Sequence, residues 1–136
     1  MPSFAQKFLS ATLTLFMVII VLRIFVVNGT PNTDFYAEDC SIDGYAPDDP
    51  HQSSIGYVLS DLVTGTPAAP GYRYRNVPPP GSLSQASGQG TCTPSLSVSD
   101  CETCMVAAYG AIQNYCPGHL SGDVILKDCS IGYFTM

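Results

Sequence analysis

The sequence predicts an α+β fold, an antiparallel sheet of four or five short strands covered on one face by two helices and held by three disulfides. Three observations carry this. Two segments place apolar residues at helical spacing, and the rest breaks into short aromatic or β-branched runs between turn residues. All six cysteines (Cys40, Cys92, Cys101, Cys104, Cys116, Cys129) lie in the part of the chain that holds these elements.

Taken in order, Asp34 to Ser41 (DFYAEDCS) mixes aromatic and acidic residues and reads as a strand, and Gly44 to Pro50 reads as a loop. Ile55, Val58, Leu59, Leu62 and Val63 then form one apolar stripe of a helix. Ser53 or Ser54 can cap its start, and Gly65 with Pro67 can end it. Gly71 to Val77 (GYRYRNV) suits a strand with Tyr72 and Tyr74 on one face and Arg73 and Arg75 on the other. The plainer reading is a core-facing Tyr pair with solvated Arg; the other is a recognition patch, where Tyr and Arg are enriched. Pro78 to Gly81 breaks the strand, and the Ser/Gly-rich Ser82 to Gly90 is a loop or a thin edge strand.

The second helix is better marked. Ser99-Asp100-Cys101-Glu102 fits a capping box, followed at helical spacing by Cys104, Met105, Ala108, Ile112 and Tyr115, and Pro117-Gly118 stops it. Cys101 and Cys104 share a side of this helix, with Cys104 placed to reach the last strand and Cys101 the segment before the helix. Asp123 to Phe134 (DVILKDCSIGYF) reads as one long strand.

The N-terminal region is of a different kind. Lys7 precedes an uncharged run, Phe8 to Leu22, and small polar residues follow Arg23 and Ile24 to Val27. That layout is a secretory signal peptide, so residues 1–29 are read as the leader and residues 30–136 as the domain. Phe8 to Val27 is also long enough to cross a bilayer, which takes roughly 20 apolar residues. Arg23 argues against a span, because a guanidinium within one costs about 2.5–3.5 kcal/mol. Either way the remainder enters the secretory pathway. Cleavage after Gly29 would destroy the formal glycosylation sequon Asn28-Gly29-Thr30.

Beyond Gly29 the chain holds Arg73, Arg75 and Lys127 against eleven carboxylates. This balance opposes nucleic acid and anionic lipid as partners, and it opposes a cationic membrane-lysing mechanism. An even number of cysteines in an exported chain of this size reads as three disulfides, with fifteen connectivities open.

Between Cys92, Cys101 and Cys104 stand eight residues (TPSLSVSD) and then two (ET), followed by a helix and a closing segment, VILKDCSIGYF. This pattern resembles the ginkbilobin family, the cysteine-rich repeat of plant antifungal seed proteins. The same repeat forms the ectodomains of cysteine-rich receptor-like kinases and plasmodesmata-located proteins. The similarity runs from Pro31 to Phe134. It implies a five-stranded antiparallel sheet with two helices on one face, and the pairings Cys40–Cys116, Cys92–Cys101 and Cys104–Cys129. It further implies a secreted, apoplastic, monomeric defence protein that acts by binding a cell-wall glycan rather than by catalysis. The alternative is an extracellular protein-interaction module that modulates a receptor or inhibits an enzyme. The chain runs two residues past Phe134, which fits the single-domain secreted branch.

In the lectins of this family mannose recognition is attributed to an Asn, an Arg and a Glu. The corresponding positions here are Ser41, Asp123 and Phe134, so the trio is absent. A hexose is held by forked donors and by amide or carboxylate acceptors, and Asp123 reverses the charge where the Arg would stand. Phe134 offers only a stacking face.

The other constellations have plainer readings. Cys101-x-x-Cys104 has the spacing of a redox pair, but exported cysteines at this density are structural. His51 and His119 stand far from the cysteine pairs and read as solvated loop residues, and no metal or other cofactor is expected. Asp48, Asp49, Asp61, Glu102 and Asp123 supply carboxylates, but no motif arranges them for hydrolysis, so they read as surface charges.

Overall fold

Unbroken by Gly or Pro, the apolar N-terminal run folds as a helix, α1 (Phe4–Val27, 24 residues). The computed structural model describes residues 3–27, 29–78 and 86–136. The chain divides into two compact units, Met1–Thr30 and Pro31–Met136. Within the first unit, Phe4–Val21 is long and apolar enough to cross a membrane, with a mean hydropathy of 1.8. The described chain therefore has three helices, where two were expected. The added one is the segment expected as a leader, whose composition favours helix whether or not it is later removed.

The second unit contains β1 (Phe35–Cys40), α2 (Pro50–Ala68), β2 (Arg73–Asn76), β3 (Ala86–Cys92), α3 (Val98–Tyr115), β4 (Ser121–Leu126) and β5 (Cys129–Thr135). The strands form one sheet in the order β1-β4-β5-β3-β2, every neighbouring pair antiparallel. The α+β class, the five-stranded antiparallel sheet and the three disulfides agree with expectation.

Helix α2 starts earlier and ends later than its expected caps. Asp49, not Ser53 or Ser54, closes the N-terminus, its carboxylate accepting from the His51 N–H at 2.9 Å, and Pro50 fills a first-turn position that needs no donor. Gly65 does not end the helix. A Cβ there would lie 2.4 Å from the Tyr74 ring, so this glycine admits the ring against α2. Pro67 falls in the last turn, where the Ala69 N–H closes onto the Thr66 carbonyl. In α3 the cap is Ser97, two residues before the expected one, with its hydroxyl accepting from the Asp100 N–H at 3.1 Å.

The expected long strand Asp123 to Phe134 is a hairpin. Lys127 and Asp128 separate β4 from β5, and their backbone N–H groups bond to the carbonyls of Asp34 and Asn32. Asp128 is the one turn former here and no Gly or Pro accompanies it, which is why the β-rich flanks read as continuous. The segment expected as a loop or thin edge strand, Ser82 to Gly90, holds the first five residues of β3, an interior strand between β5 and β2. Its part at 82–85, and the breaker at 79–81, lie outside the described residues.

The core explains β3. Val58 and Leu62 of α2 would meet a Cβ at Gly88 within 2.6 and 2.9 Å, and Thr66 of α2 and Met105 of α3 would meet one at Gly90 within 2.3 and 2.8 Å. Strand alternation puts Gly88 and Gly90 on the same face, so both helices approach the sheet where side chains are missing. Around this contact Ile55, Val58, Leu59 and Leu62 are buried with Met105, Ala108, Ile112, Val124, Ile131 and Tyr133. Tyr115, expected on the buried stripe, is 47% exposed and stacks on Phe35, with centroids 4.6 Å apart.

Disulfides join Cys40 to Cys116, Cys92 to Cys101 and Cys104 to Cys129. They tie, in that order, the end of β1 to the C-terminus of α3, the end of β3 to the first turn of α3, and the next turn of α3 to the start of β5. Cys101 and Cys104 are fully buried, so they close on the core side of the helix.

Candidate functional site

Strand alternation and register give the sheet a second set of positions, opposite in sense to Gly88, Gly90, Val124, Ile131 and Tyr133. On it stand Arg73 and Arg75 of β2, Gln89 and Thr91 of β3, Ser130, Gly132 and Phe134 of β5, Asp123 and Ile125 of β4, and Asp39 of β1. Arg73, Arg75, Gln89, Asp39, Asp123, Ile125 and Phe134 are exposed. This is the most polar continuous surface that the register of the sheet defines.

The three positions aligned with the mannose trio are brought together at one end of this surface. The Ser41 N–H bonds to the Ser121 carbonyl at 3.0 Å, its hydroxyl accepts from the Ser121 N–H at 3.1 Å, and Ser121 pairs across the ladder with Phe134. Ser41 also donates to the Asp43 carbonyl at 2.8 Å, so its hydroxyl is occupied in holding the β1 exit. Phe134 is 39% exposed, and the Arg75 guanidinium lies 6.0 Å from its ring centroid. The contact follows from the ladder: Phe134 pairs with Ser87 and Arg75 with Gln89, a diagonal across β3.

Asp123 pairs with Gly132 on one side and with Asp39 on the other. Its carboxylate lies over Gly132, where a Cβ would collide with it. Burial, and then the facing Asp39 carboxylate, push its pKa up. Two acids are thus neighbours on the sheet, while the larger clefts of the domain are lined by other residues.

The Tyr-Arg run divides as the plainer reading had it. Tyr72 and Tyr74 pack against the core, whereas Arg73 and Arg75 are exposed. Tyr72 sits not in the strand but in the single 3-10 turn Pro70–Tyr72, with φ of 53°, and donates to the Leu96 carbonyl at 3.0 Å. Asp61, expected as a surface charge, is half-buried and accepts from the Tyr74 hydroxyl at 2.8 Å and the Asn76 amide at 2.6 Å. The bond to Asp61 raises the Tyr74 pKa. Sequence reasoning missed this tie because Asp61 and Tyr74 meet only once α2 lies across β2. Gly65, one turn beyond Asp61, was the available signal.

Both histidines depart from the solvated-loop reading. His51 lies in the first turn of α2, its ring nitrogen 2.6 Å from Asp49, whose pKa is lowered chiefly by the His51 backbone N–H. His119 bonds through Nδ1 to the Ser41 carbonyl, and its own carbonyl accepts from the Tyr133 hydroxyl at 2.9 Å. Burial pushes that hydroxyl up to about 12. Asp48 and Glu102 are exposed, Asp48 with φ of 68° in the loop before α2. Among the described residues no three His, Cys, Asp or Glu side chains converge on a metal position.

A five-stranded antiparallel sheet crossed by two core helices, with three disulfides concentrated on one of them, defines a cysteine-rich α+β repeat. The family profile described as salt stress response/antifungal matches residues 39–135, and the chain belongs to that family. It is 32% identical over 120 residues to the antifungal protein ginkbilobin-like protein 1 of Picea sitchensis, covering 86% of this chain and 90% of that one. It is 29% identical to the antifungal protein ginkbilobin-2 of Ginkgo biloba over 109 residues, covering 79% and 81%. The tandem DUF26 ectodomain of the Arabidopsis thaliana cysteine-rich receptor-like protein PDLP5 has the same fold, with a TM-score of 0.67 at 22% identity. That match covers 74% of this chain and 49% of the ectodomain, so the chain spans about half of the tandem structure.

Proposed function

We propose that this chain is an exported plant defence domain, released from its leader near Gly29, that acts by binding a cell-wall glycan. In this reading α2 and α3 cover a single face of the sheet, and the other face is the recognition surface. The observation that carries it is Phe134. It is a partly exposed aromatic platform with Arg75 over its ring and Gln89 diagonally across the ladder. A sugar is bound by stacking its apolar C–H face on such a ring while forked donors take its hydroxyls. The antifungal relatives support a defence role. The replacement of the mannose trio by Ser41, Asp123 and Phe134 favours a glycan other than mannose.

A second reading, an extracellular protein-interaction module, draws on the exposed Arg and Phe side chains of the same face and on the receptor-like ectodomains that share the fold. A glycan array probed with the folded, secreted protein and with Phe134→Ala separates the two. The glycan reading expects signal on at least one non-mannose wall polysaccharide, lost in Phe134→Ala. Silence across the array overturns it and leaves the protein partner.

A further inference from the structure

Three cations follow Gly29, and all three belong to the second face of the sheet or to its rim. Arg73 and Arg75 stand on β2, and Lys127 is at the β4–β5 hairpin. Eleven carboxylates are spread over the same unit, Asp39 and Asp123 on this face among them, so the three cations are local features of an acidic molecule.

Two of these cations line one groove. Its walls include Arg73, Thr91, Ile125, Lys127, Asp128 and Ser130, and it holds about 280 Å³, just under the roughly 300–1,000 Å³ of small-ligand sites. It lies at the opposite end of the face from Ser41 and Phe134: Ser130 pairs with Thr91 and Ile125, and Thr91 pairs with Arg73. The Thr91 and Ser130 hydroxyls are 2.7 Å apart and hydrogen-bond each other across the ladder, leaving lone pairs for a ligand hydroxyl. Ile125, 43% exposed, supplies an apolar patch.

The acids near the groove are already engaged. Asp128 accepts from the Asn32 N–H at 2.6 Å. Asp34 is 3.7 Å from the Lys127 ammonium, both side chains more than half exposed, a contact weak enough for a ligand to displace.

We propose that this groove is a subsite for the carboxylate of a uronic-acid oligosaccharide. The Arg73 guanidinium forks onto the carboxylate, Lys127 adds its charge, the Thr91–Ser130 pair takes ring hydroxyls, and Ile125 packs on the C–H face of the ring. The charge of the whole molecule disfavours a long polyanion, so the subsite takes one or two charged rings rather than an extended polymer. This assignment rests on the glycan-binding reading above.

The test is isothermal titration of the secreted protein with trigalacturonate, with its methyl ester and with inorganic sulfate. We expect trigalacturonate to bind, the uncharged ester and sulfate not to, and added salt to weaken the interaction. Arg73→Gln, which alters an exposed strand residue, should lose about tenfold or more in affinity with an unchanged Tm. Glu102→Gln, at an exposed position of α3, should leave the affinity unchanged. Equal binding of acid and ester, equal binding of sulfate, or an unchanged affinity in Arg73→Gln overturns the subsite. If trigalacturonate fails while a neutral glycan binds, the uronate assignment falls and the lectin reading stands; if every glycan fails, both fall.

Discussion

Asp123 stands where the family's sugar-binding lectins carry an Arg, and its surroundings are costly for a charge. Burial and the facing Asp39 hold its pKa above the ordinary 3.8, so the folded protein binds this proton more tightly than the unfolded chain does. The stabilisation from that proton is complete below about pH 4 and is lost as pH rises through the raised value. Asp123→Asn keeps the shape that lies over Gly132 without the charge. It should therefore melt higher than the parent at pH 7, with the difference shrinking as the buffer is taken down to pH 3. An equal or lower Tm at pH 7 would show that neither burial nor Asp39 penalises the charged form of Asp123. The residue-level signal was partly legible: the reversal of charge could be read from position alone, but not the pairing with Asp39, which depends on the register of β1 against β4.

At the scale of elements, the helices were the most legible part and their ends the least. Apolar spacing placed the buried stripes of α2 and α3, because periodicity reports what packs. The caps were displaced because Asp49 and Ser97 are as able to close a helix as the serines that follow them. Strand β3 escaped the reading for a different reason. Its sequence, ASGQGTC, has no β-branched run, and it is a strand because Gly88 and Gly90 let α2 and α3 approach. The corresponding prediction is that Gly88→Ala destabilises the fold by about 1–3 kcal/mol or more. A Cβ there meets the Gly132 carbonyl oxygen at 2.8 Å as well as Val58 and Leu62, and the backbone cannot step aside. Denaturant unfolding measures it, and a change below about 0.5 kcal/mol would mean that the helices do not seat on β3 as described.

For the molecule as a whole, the disulfides act through the length of chain they close. Cys40–Cys116 spans 76 residues and Cys92–Cys101 spans 9. Chain entropy alone assigns these loops about 4.5 and about 2.6 kcal/mol. Replacing Cys40 and Cys116 together by Ala should therefore cost about 2 kcal/mol more than replacing Cys92 and Cys101, measured by urea unfolding of the two double variants. The reverse order would place the stabilisation in local packing around α3. The family and its sheet were legible from cysteine spacing, since that spacing encodes which elements meet. The recognition surface was not, since Phe134 and Arg75 are 59 positions apart in sequence and become neighbours only through the ladder of β2, β3 and β5.

Glycan binding by the second face of the sheet is open to a direct test by amide chemical-shift mapping. The isotope-labelled secreted protein would be titrated with the oligosaccharide giving the strongest array signal. Shifts should concentrate at Arg73, Arg75, Gln89, Ser130, Gly132 and Phe134, with α2 and α3 unmoved. Shifts confined to the helices, or none at all, would contradict it.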